Sequence, residues 1–121
     1  QVAKTANQMI VGMTLDAVAE ALTLAERAGV DPAKVRDALQ GGFAASRVLD
    51  LHGGRMVRGE FTPGARITVQ HKDIRQACAL AEALDVSLPG LKRNLEIWQN
   101  ALDQGLGEQD QAGILNAFRK P

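Results

Sequence analysis

The chain of 121 residues has no tyrosine, one tryptophan and three phenylalanines, and no segment alternates apolar and polar residues with the period of a strand. Aromatic residues and period-two alternation are the usual signs of a sheet, so their scarcity argues against strands. Alanine, leucine and straight-chain polar residues, which favour helix, dominate instead. The composition therefore predicts an all-α fold.

The chain also has only one cysteine and no net charge. Cys78 is the only cysteine, which excludes an internal disulfide framework and favours a reducing compartment, the cytoplasm. Basic and acidic residues balance at 14 each, so the charge favours neither nucleic acid nor an acidic membrane as partner. We find no apolar run of membrane-spanning length and no signal-peptide pattern, and the missing start methionine indicates a piece of a longer protein. His52 and His71 lack a suitable set of acids or cysteines around them, so we expect no metal site.

Apolar residues at helical spacing predict about six helices around one long central helix. The first, from about 4 to 28, is apolar on several sides, as a central helix is, and ends at Gly29. Gly12 within it predicts the close approach of another helix. We expect its two carboxylates, Asp16 and Glu20, to be solvated. The other predicted elements are a short helix from Asp31-Pro32 to Gly41-Gly42, a third capped by Ser46, a fourth over 65–84, a fifth from Pro89 and a last one capped by Asp110.

Lys4 is the only charged residue among the first fifteen. Asn7 and Gln8 follow three and four positions later, so the three side chains share one face of the helix. A lysine in a partly dry pocket can donate or accept a proton, and a neighbouring amide can orient it or bind substrate. The alternative is a lysine near a helix end that reaches solvent, and the physical pattern taken alone favours this alternative.

The segment Lys4-Thr5-Ala6-Asn7-Gln8 resembles the K-x-x-N-[NQ] signature of the β-hydroxyacid dehydrogenase family. The resemblance continues through AERAGVDPAKVRDA at 25–38, GGFAASR at 41–47, Pro63-Gly64 followed by Lys72-Asp73, and the segment from Asp110 onward. It implies that residues 1–121 are a C-terminal helical domain for substrate binding and dimerisation, like that of 6-phosphogluconate dehydrogenase relatives. The N-terminal Rossmann domain of the family would lie outside this chain, which has no G-x-G-x-x-G fingerprint.

The resemblance also implies roles for single residues. Lys4 would be the catalytic general acid/base, Asn7 and Gln8 would bind substrate, and Lys72 would contact the cofactor, NAD or NADP. Which of the two amides touches substrate stays open. Without the resemblance, Lys72 is better explained as part of a solvated, charged helix face. Ala65 stands where relatives commonly carry an aromatic residue, which leaves the substrate preference open.

The resemblance implies a parent enzyme that interconverts a small β-hydroxyacid and its semialdehyde. The segment GGFAASR favours the 2-hydroxy-3-oxopropionate (tartronate semialdehyde) reductase branch, with 3-hydroxyisobutyrate dehydrogenase as the alternative. We expect the chain alone to be inactive, because cofactor binding belongs mainly to the other domain. The apolar first helix predicts a homo-oligomer, at least a dimer. A stand-alone helical module for protein interaction is the alternative from another functional class.

Overall fold

A computed structural model describes residues 2–119 of the chain. Its elements are α1 (Val2–Arg27), α2 (Pro32–Leu39), α3 (Arg47–Arg58), α4 (Ile67–Ala83), α5 (Pro89–Asp103) and a final 3-10 helix (Gln111–Phe118). Over these residues an isolated bridge between Arg66 and Asp110 is the only β-type pairing. The predicted all-α fold of about six helices is confirmed.

The long helix α1 is the centre of the domain, as predicted, because it contacts all five other helices. Leu15 and Ala19 on its inner face are fully buried, and Val18 and Leu22 nearly so. Contrary to the sequence expectation, α1 is by length and apolar composition alone able to cross a membrane. Core helices of globular domains meet the same criterion, and the packing of α1 at the centre of the domain accounts for its buried apolar residues.

Local sequence explains most of the helix ends. Gly29 follows α1 with a φ of +82°, a left-handed conformation that glycine adopts without strain. Asp31 and Ser46 accept hydrogen bonds from backbone N–H groups at the starts of α2 and α3, as predicted. Two details differ from the prediction. The C-cap of α2 is Gln40, in the right-handed helical conformation, one residue before the predicted Gly41-Gly42 end, and the last helix is of the 3-10 type.

Gly12 lies where side chains of α4 pack closely against α1, as the sequence predicted. A Cβ atom at Gly12 would lie 2.7 Å from both Gln70 Nε2 and Ile74 Cδ1. On another side, the Nδ2 of buried Asn94 donates to the Gly12 carbonyl oxygen at 3.3 Å, and Trp98 Nε1 donates to Asn94 Oδ1 at 3.1 Å. Two helices therefore pack directly on the backbone of α1 at this point.

Asp110 connects the loop before α4 to the final helix. Its buried carboxylate accepts hydrogen bonds from the backbone N–H groups of Gly64, Ala65 and Ala112 at 2.9, 3.1 and 2.9 Å. Burial raises the pKa of this carboxyl, but the three N–H groups and the nearby Arg55 outweigh burial and bring the pKa below its ordinary value. Asp110 is therefore charged in the folded protein and fixes the position at which α4 begins.

Asp16 is not solvated as expected. Its Oδ1 is buried and has no hydrogen-bond partner among residues 2–119. Burial, followed by the hydrogen bond and the charge of Glu20, raises the pKa of Asp16 to about 7, while Arg93 works in the opposite direction. Sequence spacing placed the two carboxylates together correctly but could not show that one of them is covered.

Candidate active site

Lys4 lies on the same side of α1 as the buried core residues. It is nearer the start of the helix, beyond the end of the core. The helices α1 and α4 run antiparallel here, because Gly12 lies against Gln70 and Ile74, whereas Ala6, nearer the start of α1, lines a pocket with Leu80 and Leu84 near the end of α4. Beyond this contact the two helices enclose an open cavity of about 250 Å³. The residues that line it are Lys4, Thr5, Gln8, Asp73 and Gln76.

A short chain of hydrogen bonds starts at Asp73 and Gln8, which line this cavity, and continues to Asn7, which does not line it. Gln8 Nε2 donates to Asp73 Oδ2 at 2.7 Å, and Asn7 Nδ2 donates to Gln8 Oε1 at 3.0 Å. In addition, Gln70 Nε2 donates to the backbone oxygen of Gln8 at 3.3 Å. The amide of Gln8 is therefore held from both ends, and its backbone is held by α4 as well.

Lys4 lies at the opposite end of the cavity from the core and is exposed. No side chain or backbone group of residues 2–119 forms a hydrogen bond or ion pair with its ammonium group. A lysine in this state can donate a proton to a ligand in the cavity without first breaking an internal contact. The structure thus brings Lys4 and Gln8 to one cavity, whereas Asn7 contacts Gln8 without lining it, and the roles of all three residues stay predictions.

Lys72 is placed differently. It is exposed on α4, immediately before Asp73, but it does not line the cavity with Lys4 and Gln8. An exposed lysine at this rim can reach a ligand larger than the cavity, and a dinucleotide is such a ligand. Its cofactor role therefore stays a prediction that rests on the resemblance.

Sequence reasoning missed the contribution of Asp73. The Lys72-Asp73 pair was part of the family pattern, yet only the lysine received a role. A side chain 65 positions away in sequence is its partner, so no local spacing could have indicated the bond between Asp73 and Gln8. Between residues 2 and 119 no group of three or more histidine, cysteine, aspartate or glutamate residues is placed to bind a metal ion.

The donors at this end of the domain fit a small anionic or hydroxylated ligand. The free ammonium group of Lys4 is a cation, and Asn7 offers an exposed amide beside it. Asp73, the only carboxylate that lines the cavity, is already bonded to Gln8. The cavity thus offers a carboxylate or carbonyl group one positive partner, Lys4, but it also contains the Asp73 carboxylate, whose Oδ1 accepts no hydrogen bond from residues 2–119.

Known proteins share this sequence and fold. Residues 1–118 match the family described as the NAD-binding domain of NADP-dependent 3-hydroxyisobutyrate dehydrogenase. A 2-hydroxy-3-oxopropionate reductase of Escherichia coli is 41% identical over 98% of this chain and 40% of its own length. A cytokine-like nuclear factor N-PAC of Anopheles gambiae is 34% identical over 88% of this chain and 19% of its own length.

The crystal structure of a 3-hydroxyisobutyrate dehydrogenase from Salmonella typhimurium superimposes with a TM-score of 0.93 at 26% identity. The match covers 97% of this chain and 41% of that protein. The chain thus spans about two fifths of the length of these two enzymes. Because the family model covers nearly all of it and the fold agrees, the chain belongs to the β-hydroxyacid dehydrogenase family, as an all-helical domain of the 3-hydroxyisobutyrate dehydrogenase type.

Proposed function

We propose that this chain is the C-terminal domain of an NAD(P)-dependent oxidoreductase that interconverts a small β-hydroxyacid and its semialdehyde. The observation that carries the proposal is the open cavity lined by both Gln8 and Lys4, whose ammonium group has no partner among residues 2–119. For the substrate we propose 2-hydroxy-3-oxopropionate, in line with the 41% identity to a reductase of that compound. 3-Hydroxyisobutyrate is the alternative, supported by the family match.

The chemistry assigned to this chain is proton transfer and substrate binding. NAD(P) supplies the hydride when it is bound, and the carbonyl oxygen of the semialdehyde then needs a proton. Lys4 donates that proton as a general acid and, in the oxidative direction, accepts it from the hydroxyl group. An ammonium group beside the developing alkoxide also stabilises its negative charge. Lys72 would contact the cofactor from the rim of the site.

The experiment is steady-state kinetics of the full-length protein with a panel of semialdehydes and both cofactors. Lys4→Ala should lower turnover by roughly 10²–10⁴-fold, the usual contribution of a positioned proton donor. Lys34→Ala on α2 is a matched control, because this lysine is also exposed but lies on a different helix. If Lys4→Ala keeps more than about a tenth of wild-type turnover, Lys4 has no role in proton transfer. The isolated chain should be inactive in the same assays.

A protein-interaction module is the second candidate function, and it is kept because a relative that is named as a nuclear factor, and not as a dehydrogenase, is similar to this chain. The two candidates differ in what the full-length protein contains. A dinucleotide-binding fingerprint upstream of residue 1, together with semialdehyde reduction, supports the enzyme. A full-length protein that has no such fingerprint and binds neither NAD nor NADP would support the module.

We also propose that the protein is a homo-oligomer, at least a dimer. The side of α1 opposite the core exposes apolar residues at helical spacing, with Ile10 63% and Leu24 72% exposed and Ala17 and Ala21 between them. A second copy would cover this surface. Light scattering should show a dimer or a larger oligomer, and the substitution Leu24→Glu should weaken the association between subunits. Leu51→Glu, at an exposed leucine on α3, is the control. A folded wild-type monomer at tens of micromolar would contradict the proposal.

The cellular location of the protein, for which the sequence favours the cytoplasm, stays a prediction.

A further inference from the structure

A second cleft lies between α4 and α5 and has a volume of about 400 Å³, which is within the range of small-molecule sites. A short turn joins the two helices, so they run antiparallel and the start of α4 lies beside the end of α5. His71 and Arg75, one turn apart on α4, line one wall, and Glu96 and Asp103 on α5 are among the residues of the other. None of these residues lines the cavity that contains Lys4.

The two walls of the cleft carry opposite charges that do not meet. The guanidinium group of Arg75 forms no ion pair or hydrogen bond with residues 2–119, although two carboxylates line the same cleft. Each carboxylate has its partner on its own helix: Glu96 Oε1 lies 3.6 Å from Arg93 Nη1, and Asp103 Oδ1 accepts from Gln99 Nε2 at 3.0 Å. Arg75, Glu96 and Asp103 are all exposed. The cleft therefore keeps one positive and two negative groups apart.

His71 adds an unpaired polar group to this cleft. It is only 9% exposed, yet its ring forms no hydrogen bond with residues 2–119. Neither ring nitrogen is completely buried, so a molecule in the cleft can reach them. Buried polar side chains are normally hydrogen-bonded, to protein or to another molecule. Asn100 on the opposite wall is exposed, and its side chain has no hydrogen-bond partner among the same residues. The cleft thus holds a histidine ring and an amide that can both bind a ligand.

We propose that this cleft binds a small zwitterion, an α-amino acid, between its two walls. The guanidinium group of Arg75 binds the carboxylate group, for which its planar donors are suited, and Asp103 binds the ammonium group. A simple anion would face the two carboxylates of the cleft and a simple cation would face Arg75, so a ligand with both charges pairs best with both walls. The half-buried Leu95 offers an apolar surface to the side chain of the amino acid. No residue with a role in the proposed function takes part.

Titration of the full-length protein, followed by NMR, tests the inference with three molecules of matched shape. L-Leucine carries both charges, 4-methylpentanoate lacks the ammonium group, and isopentylamine lacks the carboxylate group. L-Leucine should shift the side-chain signals of His71 and Asn100 with a dissociation constant in roughly the millimolar range, because exposed charge pairs contribute little. Each analogue should bind at least about three-fold more weakly. His52, which lies beside Asp110, is the internal control and should not shift. No saturation, or an analogue that binds as tightly as L-leucine, would overturn the inference.

Substitutions in the two walls should differ in their effect on the two carboxylate ligands. Arg75→Gln should weaken the binding of both L-leucine and 4-methylpentanoate by about three- to ten-fold, since both lose their cation. Asp103→Asn should weaken L-leucine by a similar factor but tighten 4-methylpentanoate, because it removes a repelling charge. Lys92→Gln and Glu82→Gln are the matched controls, since both residues are exposed on the same two helices and neither lines the cleft. Equal effects of the controls and the wall variants would show a general charge effect and would contradict the proposal.

Lys4→Ala separates the cleft from the cavity with Lys4, which also offers a cation to a carboxylate group. This variant should bind L-leucine as the wild type does, within about two-fold. If Lys4→Ala abolishes the binding and Arg75→Gln leaves it unchanged, the amino acid binds at Lys4 and the inference is wrong. Circular dichroism checks that each variant is folded, and if Arg75→Gln is not, the opposite effects of Asp103→Asn on the two ligands decide.

Discussion

Replacing Gly12 by alanine should destabilise the protein, although the same change in a helix usually has the opposite effect. In an uncrowded helix alanine is favoured over glycine by about 1 kcal/mol. At Gly12, however, the new Cβ would lie 2.7 Å from Gln70 Nε2 and from Ile74 Cδ1. Ile74 is fully buried and cannot swing into solvent. If Gln70 moves, it loses its bond to the Gln8 oxygen, which contributes about 1 kcal/mol.

Overpacking in a core typically costs about 1–3 kcal/mol, so we expect Gly12→Ala to lower the free energy of unfolding by about 1–2 kcal/mol net. Gly53→Ala is the matched control. Gly53 is also buried within a helix, but a Cβ there would meet nothing closer than 3.4 Å, which is ordinary contact. That variant should be stabilised by up to about 1 kcal/mol. The assay is urea unfolding of the full-length protein followed by far-ultraviolet circular dichroism. Equal stabilisation by both substitutions would refute the reasoning about the helix contact.

Three further predictions concern charged groups. Asp110→Asn should lower the free energy of unfolding by about 2 kcal/mol at neutral pH. The folded-state pKa of Asp110 is lowered, so the wild type has this extra stability above about pH 4 and loses it as pH falls through the folded-state pKa. Urea titrations of both proteins at several pH values measure this difference. Asp16→Asn should stabilise the protein at pH 8 and not at pH 4. The folded protein retains the Asp16 proton up to a pKa of about 7, so the wild type loses stability relative to the variant as pH rises from about 4 to 7. Equal thermal midpoints of the two proteins at pH 8 would contradict this. Lys72→Ala should weaken cofactor binding by about ten- to a hundred-fold and leave the pH profile of turnover unchanged. If a fluorescence titration shows an unchanged cofactor affinity, Lys72 does not contact the cofactor.

Much of the fold could be predicted because its signals are local. A cap such as Asp31 acts on N–H groups two residues away, and the conformational freedom of Gly29 is a property of that residue alone. The long apolar stripe of α1 predicted a central helix, because such a surface has to be covered by something. The spacing of four positions between Lys4 and Gln8 likewise predicted that both lie on one face of α1, and both line the cavity.

The remaining features depend on which helices meet. Asp73 and Gln8 are 65 positions apart, and only the antiparallel contact at Gly12 brings them within 2.7 Å of each other. Asp110 reaches Gly64 across 46 positions in the same way. Sequence spacing showed that Asp16 lies beside Glu20, but only the packing of other elements decided that Asp16 is covered. Periodicity assigns a side chain to a face of its own helix. The partner of that side chain, its burial and therefore its charge are set by a second segment that the spacing does not identify.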